Sequence, residues 1–205
     1  MEIRAGFVGF GEVNTPREFI EKRCEAVAAQ LTRAGVQLVR ATPVADDPAG
    51  KEAARAASEL AQGDFSTLIV CVAGWIPSWA VFAVIEPFKH KPMILLGLTG
   101  WSEADRFITT ADQAGTTALR WPMAEMGYTF KYIVTPRGGA LPVEPILSYV
   151  RAAHAVDQLP SLDLVFDGHT PDFIQRVMAQ HYILSYGNQR PVLADFCAIL
   201  GIDII

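Results

Sequence analysis

Ile3-Arg4-Ala5-Gly6-Phe7-Val8-Gly9-Phe10 runs through Gly11-Glu12-Val13-Asn14 into Thr15-Pro16-Arg17-Glu18-Phe19-Ile20, and this stretch decides the fold. Its first eight residues are largely apolar and read as a buried strand. The glycine-rich turn that follows leads to a helix start, with Thr15 as the cap, Pro16 at the first helical position and Glu18 completing a capping box. Ile20, Cys24, Val27 and Leu31 then fall on one helical face, and Gly35 ends the helix. Another apolar run follows from Val36 to Val44. A strand, a helix and a second strand in direct succession form the building unit of a parallel sheet.

The alternation continues along the chain. A helix is expected from Lys51 to Ala61, a strand from Phe65 to Ala73, and a helix from Ser78 to Phe88. A strand from Pro92 to Leu98, a helix from Gln113 to Met126, a strand from Thr129 to Thr135 and a helix from Pro142 to Val156 complete the series. Five such units joined by right-handed crossovers predict an α/β protein with a flavodoxin-like, doubly wound parallel sheet over residues 1–156. Residues 157–161 form a polar, proline-containing joint. Residues 162–205 are expected to append a strand at Leu162 to Phe166, a helix capped by Thr170, and a last helix near Pro191 to Leu200.

A length of 205 residues suits one well-cored domain with an appendage. Apolar residues make up 51% and charged residues 19%, below the roughly 25% of an average soluble protein, which excludes a disordered chain. So few charges leave apolar surface to cover, and a homo-oligomer is the expected outcome. The net charge of −5, with no basic run, argues against nucleic acid as a partner. Cys24, Cys71 and Cys197 lie far apart among apolar neighbours, as thiols do in a reducing, cytoplasmic setting. Met1-Glu2 leads straight into the first strand without a signal-peptide pattern. Thr67 to Ile85 is free of charge and long enough to span a membrane, yet Gly74 and Pro77 divide it into strand, loop and helix, so no membrane partner is expected.

In an open parallel sheet, ligands bind beyond the carboxyl ends of the strands. Gly9-x-Gly11 fits a nucleotide's pyrophosphate loop, with Arg40 placed to hold a 2′-phosphate, or it is a tight turn; Asn14 stands where a third glycine would be. Gly74-Trp75-Ile76-Pro77-Ser78-Trp79 offers two indoles either to a sugar face or to a packing interface. Leu98 to Glu103 and Thr109 to Thr117 are the next two loops, and Asp112 or Thr110 is expected to cap the helix there. Among the histidines, His90 is expected in solvent, His154 has no sequence neighbour to pair with, and His169 follows a strand end. His181 shares an apolar helical face with Phe173, Ile174, Val177 and Met178.

Gly6 to Glu18, Val72 to Ala80, Lys91 to Gly100 and Thr109 to Thr117 together resemble the L-fucose isomerase family, which includes L-arabinose-type isomerases. Met178-Ala179-Gln180-His181-Tyr182, Gly187-Asn188 and Ala194-Asp195-Phe196 resemble the far C-terminal end of the same family. The resemblance implies aldose–ketose interconversion through an enediol, with Mn²⁺ polarising the sugar and carboxylates moving the proton. It makes His181 a metal ligand, and Trp75 and Arg17 contacts to a small-molecule sugar. It also implies that the family's central domain, source of the catalytic carboxylates, is missing between Val156 and Leu162. Little or no isomerase activity is therefore expected of this chain.

Overall fold

A computed structural model describes residues 3–137 and 139–158. The chain separates into two units, Met1–Ser161 and Leu162–Ile205, and the described residues belong to the first. The expected appended strand and helices, with His169 and His181, lie outside the described residues.

Five parallel strands form the main sheet: β1 (Ile3–Phe10), β2 (Val36–Arg40), β3 (Thr67–Val72), β4 (Met93–Gly97) and β7 (Phe130–Val134). Their order is β2-β1-β3-β4-β7, the flavodoxin-like order anticipated from the sequence. Five helices join or flank them: α1 (Arg17–Arg33), α2 (Lys51–Leu60), α3 (Ser78–Ile85), α4 (Asp112–Glu125) and α5 (Val143–Gln158). Before α4, β5 (Trp101–Glu103) and β6 (Arg106–Ile108) pair antiparallel as a small hairpin.

Alternation along the strands divides the interior in two. Leu68, Val70 and Val72 of β3 face α2, α3 and α4, packing with Leu60, Val81, Val84, Leu119 and Met123. Ile69 and Cys71 face α1 and α5, packing with Ile20, Cys24, Leu31, Ile146 and Val150. Every residue of β3 is buried, as a central parallel strand covered on both faces requires. Burial also decides a local conflict in α4. Pro122 inside that helix costs about 3 kcal/mol. Leu119 and Met123, fully buried on the same helix, offset it at about 1.5–3 kcal/mol each.

Most boundaries fall within a residue or two of the sequence expectation, and three of the differences arise at prolines. Helix α1 begins at Arg17, and Pro16, in extended conformation, takes the capping position with no side-chain cap. Thr15 therefore does not cap the helix. Strand β2 stops at Arg40 instead of Val44, because Pro43 has no N–H for the ladder; only a single bridge between Phe10 and Val44 resumes it. Helix α3 ends at Ile85, and Glu86–Phe88 tightens into a 3₁₀ turn around Pro87. The stretch Thr67 to Ile85 is the strand, loop and helix expected, and among the described residues no helix is long and apolar enough to cross a membrane.

Carboxylates tie the β2 end to α2. Asp47 accepts from the amides of Ala49 and Lys51 at 2.9 and 2.8 Å, and Glu59 accepts from the amide of Thr42 at 2.7 Å while pairing with Arg55. Glu25 pairs with Arg40. The Ala49 amide holds Asp47 below the ordinary carboxylate range, and hydrogen bonding to Arg40 does the same for Glu25. For Glu59, burial opposes ionisation, and the Thr42 amide and Arg55 outweigh it. A carboxylate lowered by folding contributes stability above its unfolded pKa, about 4, and loses it as pH falls through the folded value. Melting temperature is thus expected to hold from neutral pH to about 5 and fall below about 4. Thermal melts across that range check this, and a rise in melting temperature on acidification would contradict it.

Candidate functional site

The sheet's switch point lies between β1 and β3, where the chain turns from building toward β2 to building toward β4. The loops leaving β1 and β3 therefore part there, and their glycines decide what fills the gap. A Cβ on Gly9 would stand 2.2 Å from Cys24 Sγ, and one on Gly11 would stand 2.4 Å from Ile20 Cδ1. Helix α1 occupies that space. The amides of the loop are also engaged: Gly11 donates to the Val44 carbonyl at 3.1 Å, Val13 to Asp46 Oδ1 at 2.6 Å, and Thr15 to the Glu12 carbonyl at 3.1 Å. Gly9-x-Gly11 serves close helix–strand packing, and three of the loop's amide donors already have partners within the protein. Arg40, weighed above for a 2′-phosphate, is paired with Glu25.

Arg23 is the organising residue of this edge, and the sequence reading passed over it. Its guanidinium reaches from α1 across the ends of β3 and β4. It donates to the Ala73 carbonyl at 2.6 Å and to Thr110 Oγ1 at 2.8 Å, and its Nη2 lies 2.6 Å from Asp112 Oδ2. The Arg23 side chain is 15% exposed and that of Asp112 not at all, so this is an interior ion pair. The indole of Trp101 stacks on it, with Arg23 Cζ 5.3 Å from the ring centroid. Asp112 also accepts from the Gln113 amide at 2.9 Å and Thr109 Oγ1 at 3.2 Å. Asp112 or Thr110 was expected to cap α4, but Ala111 takes the capping position without a side-chain cap; Asp112 is the first residue of the helix and the counter-charge of the edge.

Phe19, one turn before Arg23, stacks with Trp101, the centroids 6.2 Å apart and the rings 19° from parallel. Beside this pair opens a cavity of about 560 Å³, whose wall includes Glu12, Asn14, Glu103, Thr109 and Thr110. Glycine at position 100 makes the hairpin fit, since a Cβ there would stand 2.0 Å from the Ile108 carbonyl oxygen. Arg137 pins the hairpin from the far side, 4.2 Å from the Phe107 ring centroid.

The residues singled out from the sequence are placed as follows. Arg17 lines a smaller cavity of about 240 Å³ next to Gly11. There it pairs with Glu21 at 2.9 Å and Glu52 at 2.8 Å and donates to the Pro43 carbonyl at 3.1 Å. Trp75 stands in the loop after β3, 38% exposed, its amide donating to the Thr110 carbonyl at 2.7 Å. It lines neither cavity, so the structure does not bring Trp75 and Arg17 to one pocket. His90 is exposed, as expected. His154 has found a partner, with Nδ1 3.2 Å from Ser66 Oγ. Among the described residues no three His, Cys, Asp or Glu side chains come together as ligands for the Mn²⁺ that the resemblance implies, and His181 lies outside them.

No family model matches the chain, and no curated protein matches it.

Proposed function

We propose that this chain binds a small sugar at the carboxyl edge of its sheet, as a shortened relative of the sugar isomerases, and does not interconvert aldose and ketose at an enzyme's rate by itself. The observation that carries the reading is the cavity beside Phe19 and Trp101. Apolar ring faces suit the C–H face of a sugar, and the amide, hydroxyl and carboxylate groups around the wall suit its hydroxyls. The resemblance to L-fucose isomerase adds the substrate class. Partly exposed Trp75 and Trp79, together with Trp121 at 74%, support the expected homo-oligomer. Free Cys24 and Cys71 support a reducing, cytoplasmic setting.

Calorimetric titration with L-fucose, L-arabinose and D-arabinose, with and without Mn²⁺, tests the reading. Saturable binding is expected, and Phe19→Ala or Trp101→Ala should weaken it about tenfold, the equivalent of about 1.4 kcal/mol. Binding that requires Mn²⁺ favours the enzyme lineage, and metal-independent binding favours a sugar-binding module. Absence of saturable heat for all three sugars under both conditions overturns the proposal. Conversion to the ketose at an ordinary enzymic rate overturns its second half and makes Glu12 and Glu103 the first carboxylates to replace.

A further inference from the structure

Cys24 of α1 and Cys71 of β3 are nucleophilic side chains that the carboxyl-edge site does not use. Both are free thiols, 2% and 0% exposed. Gly9 brings them together. It is the register partner of Cys71 on the adjacent parallel strand, so the two positions share a face of the sheet. Because Gly9 has no side chain, Cys24 Sγ fills its place, 2.2 Å from where a Cβ would be. That position sets Cys24 Sγ beside Cys71, on the same face of the sheet and in the same buried cluster. Cys24 forms part of the wall of an open cavity of about 680 Å³, bordered by Glu18, Lys22 and Arg40. A peroxide is little larger than water, which occupies about 30 Å³ in the liquid, so such a cavity admits it.

We propose that Cys24 and Cys71 form a peroxide-sensitive dithiol, in which Cys24 is oxidised from this cavity and Cys71 resolves it to an internal disulfide joining α1 to β3. In the first step Cys24 sulfur takes one oxygen from hydrogen peroxide, whose O–O bond breaks, giving a sulfenic acid and one water. In the second, Cys71 sulfur attacks Cys24 sulfur, and the hydroxyl leaves with the Cys71 proton as a second water. Two thiols are thereby oxidised by two electrons and one peroxide is reduced. Cys24 borders the cavity, whereas Cys71 is wholly buried and is not part of its wall, so Cys24 meets the peroxide first and Cys71 takes the second step. The latch acts on the same helix, next to the residue that holds Asp112, so oxidation would bear directly on the carboxyl edge.

The test uses the full chain carrying Cys197→Ser, which leaves only these two cysteines. Hydrogen peroxide is expected to consume both thiols together, to lower the intact mass by two hydrogens, and to yield a cross-linked peptide pair that dithiothreitol separates. In the same background Cys71→Ser should leave Cys24 as a sulfenic acid captured by dimedone. Cys24 accumulating as sulfinic acid while Cys71 stays reduced overturns the proposal. So does survival of both thiols under an exposure that oxidises them in urea. Should Cys197→Ser fail to fold, peptide mapping of the oxidised unsubstituted chain decides: a Cys24–Cys71 link supports the proposal, and links through Cys197 alone overturn it.

Discussion

Replacing Arg23 with methionine is expected to destabilise the protein by about 3–5 kcal/mol, the cost of leaving one member of an interior ion pair without its partner. Methionine keeps the apolar stem that lies beside Trp101 and removes the charge, so the loss reads the electrostatics more than the packing. Asp112, with no exposed surface, then keeps only the hydrogen bonds from Gln113 and Thr109. The carbonyl of Ala73 and the hydroxyl of Thr110 lose a charged donor at the same time. Adding Asp112→Asn should recover more than half of the loss, because an amide without charge keeps an oxygen for those two donors and tolerates the interior better. Urea unfolding of the two single variants and the double variant measures this. An Arg23→Met variant within about 0.5 kcal/mol of the unsubstituted chain, the range of ordinary surface substitutions, would show that the pair organises nothing.

Arg23 also marks how far the sequence could be read. The strand and helix alternation was legible because each element declares itself within a few residues: a β-branched run for β3, a stripe of Ile20, Cys24, Val27 and Leu31 for α1. Five units with right-handed crossovers suited a flavodoxin-like doubly wound sheet, and the observed order agrees with it. The hairpin was not legible. Its strands are three residues each, too short to show a period, and its shape depends on Gly100 approaching Ile108 and on Phe107 meeting Arg137. The candidate site was half legible, since the loops at the strand ends were the places the sequence offered, while the residue that joins them was overlooked. A signal existed: Arg23 stands between Ile20 and Cys24, on the edge of the apolar stripe and in the half of α1 nearest the carboxyl edge. A charge there needs a partner, yet nothing local says that the partner is Asp112, on another helix. Trp75 and Arg17 were chosen by resemblance, and Arg17 proves to be tied to Glu21 and Glu52.

The glycine-rich turn that opened the fold makes the second large prediction, and it separates packing from ligand approach. If Gly9 is needed because α1 lies against it, Gly9→Ala should cost about 1–3 kcal/mol, the usual penalty of an extra methyl in a filled interior. The nearest atom, Cys24 Sγ, would be 2.2 Å away and must move; the next, Cys24 Cβ, is at 3.2 Å and needs only slight adjustment. Cys24→Ala removes the first atom and keeps the second. Alone it empties a small volume in the α1 face of the core and destabilises modestly. Combined with Gly9→Ala it lets the new methyl occupy what the sulfur vacated, so the double variant should be more stable than the sum of the two single effects allows, by about 1 kcal/mol or more. Were Gly9 instead kept bare for a phosphate, Cys24→Ala would give Gly9→Ala no relief, and the two effects would add. Equilibrium unfolding of all four proteins decides between them, and the geometry favours coupling, because the space over Gly9 is already held by a side chain of the protein's own helix.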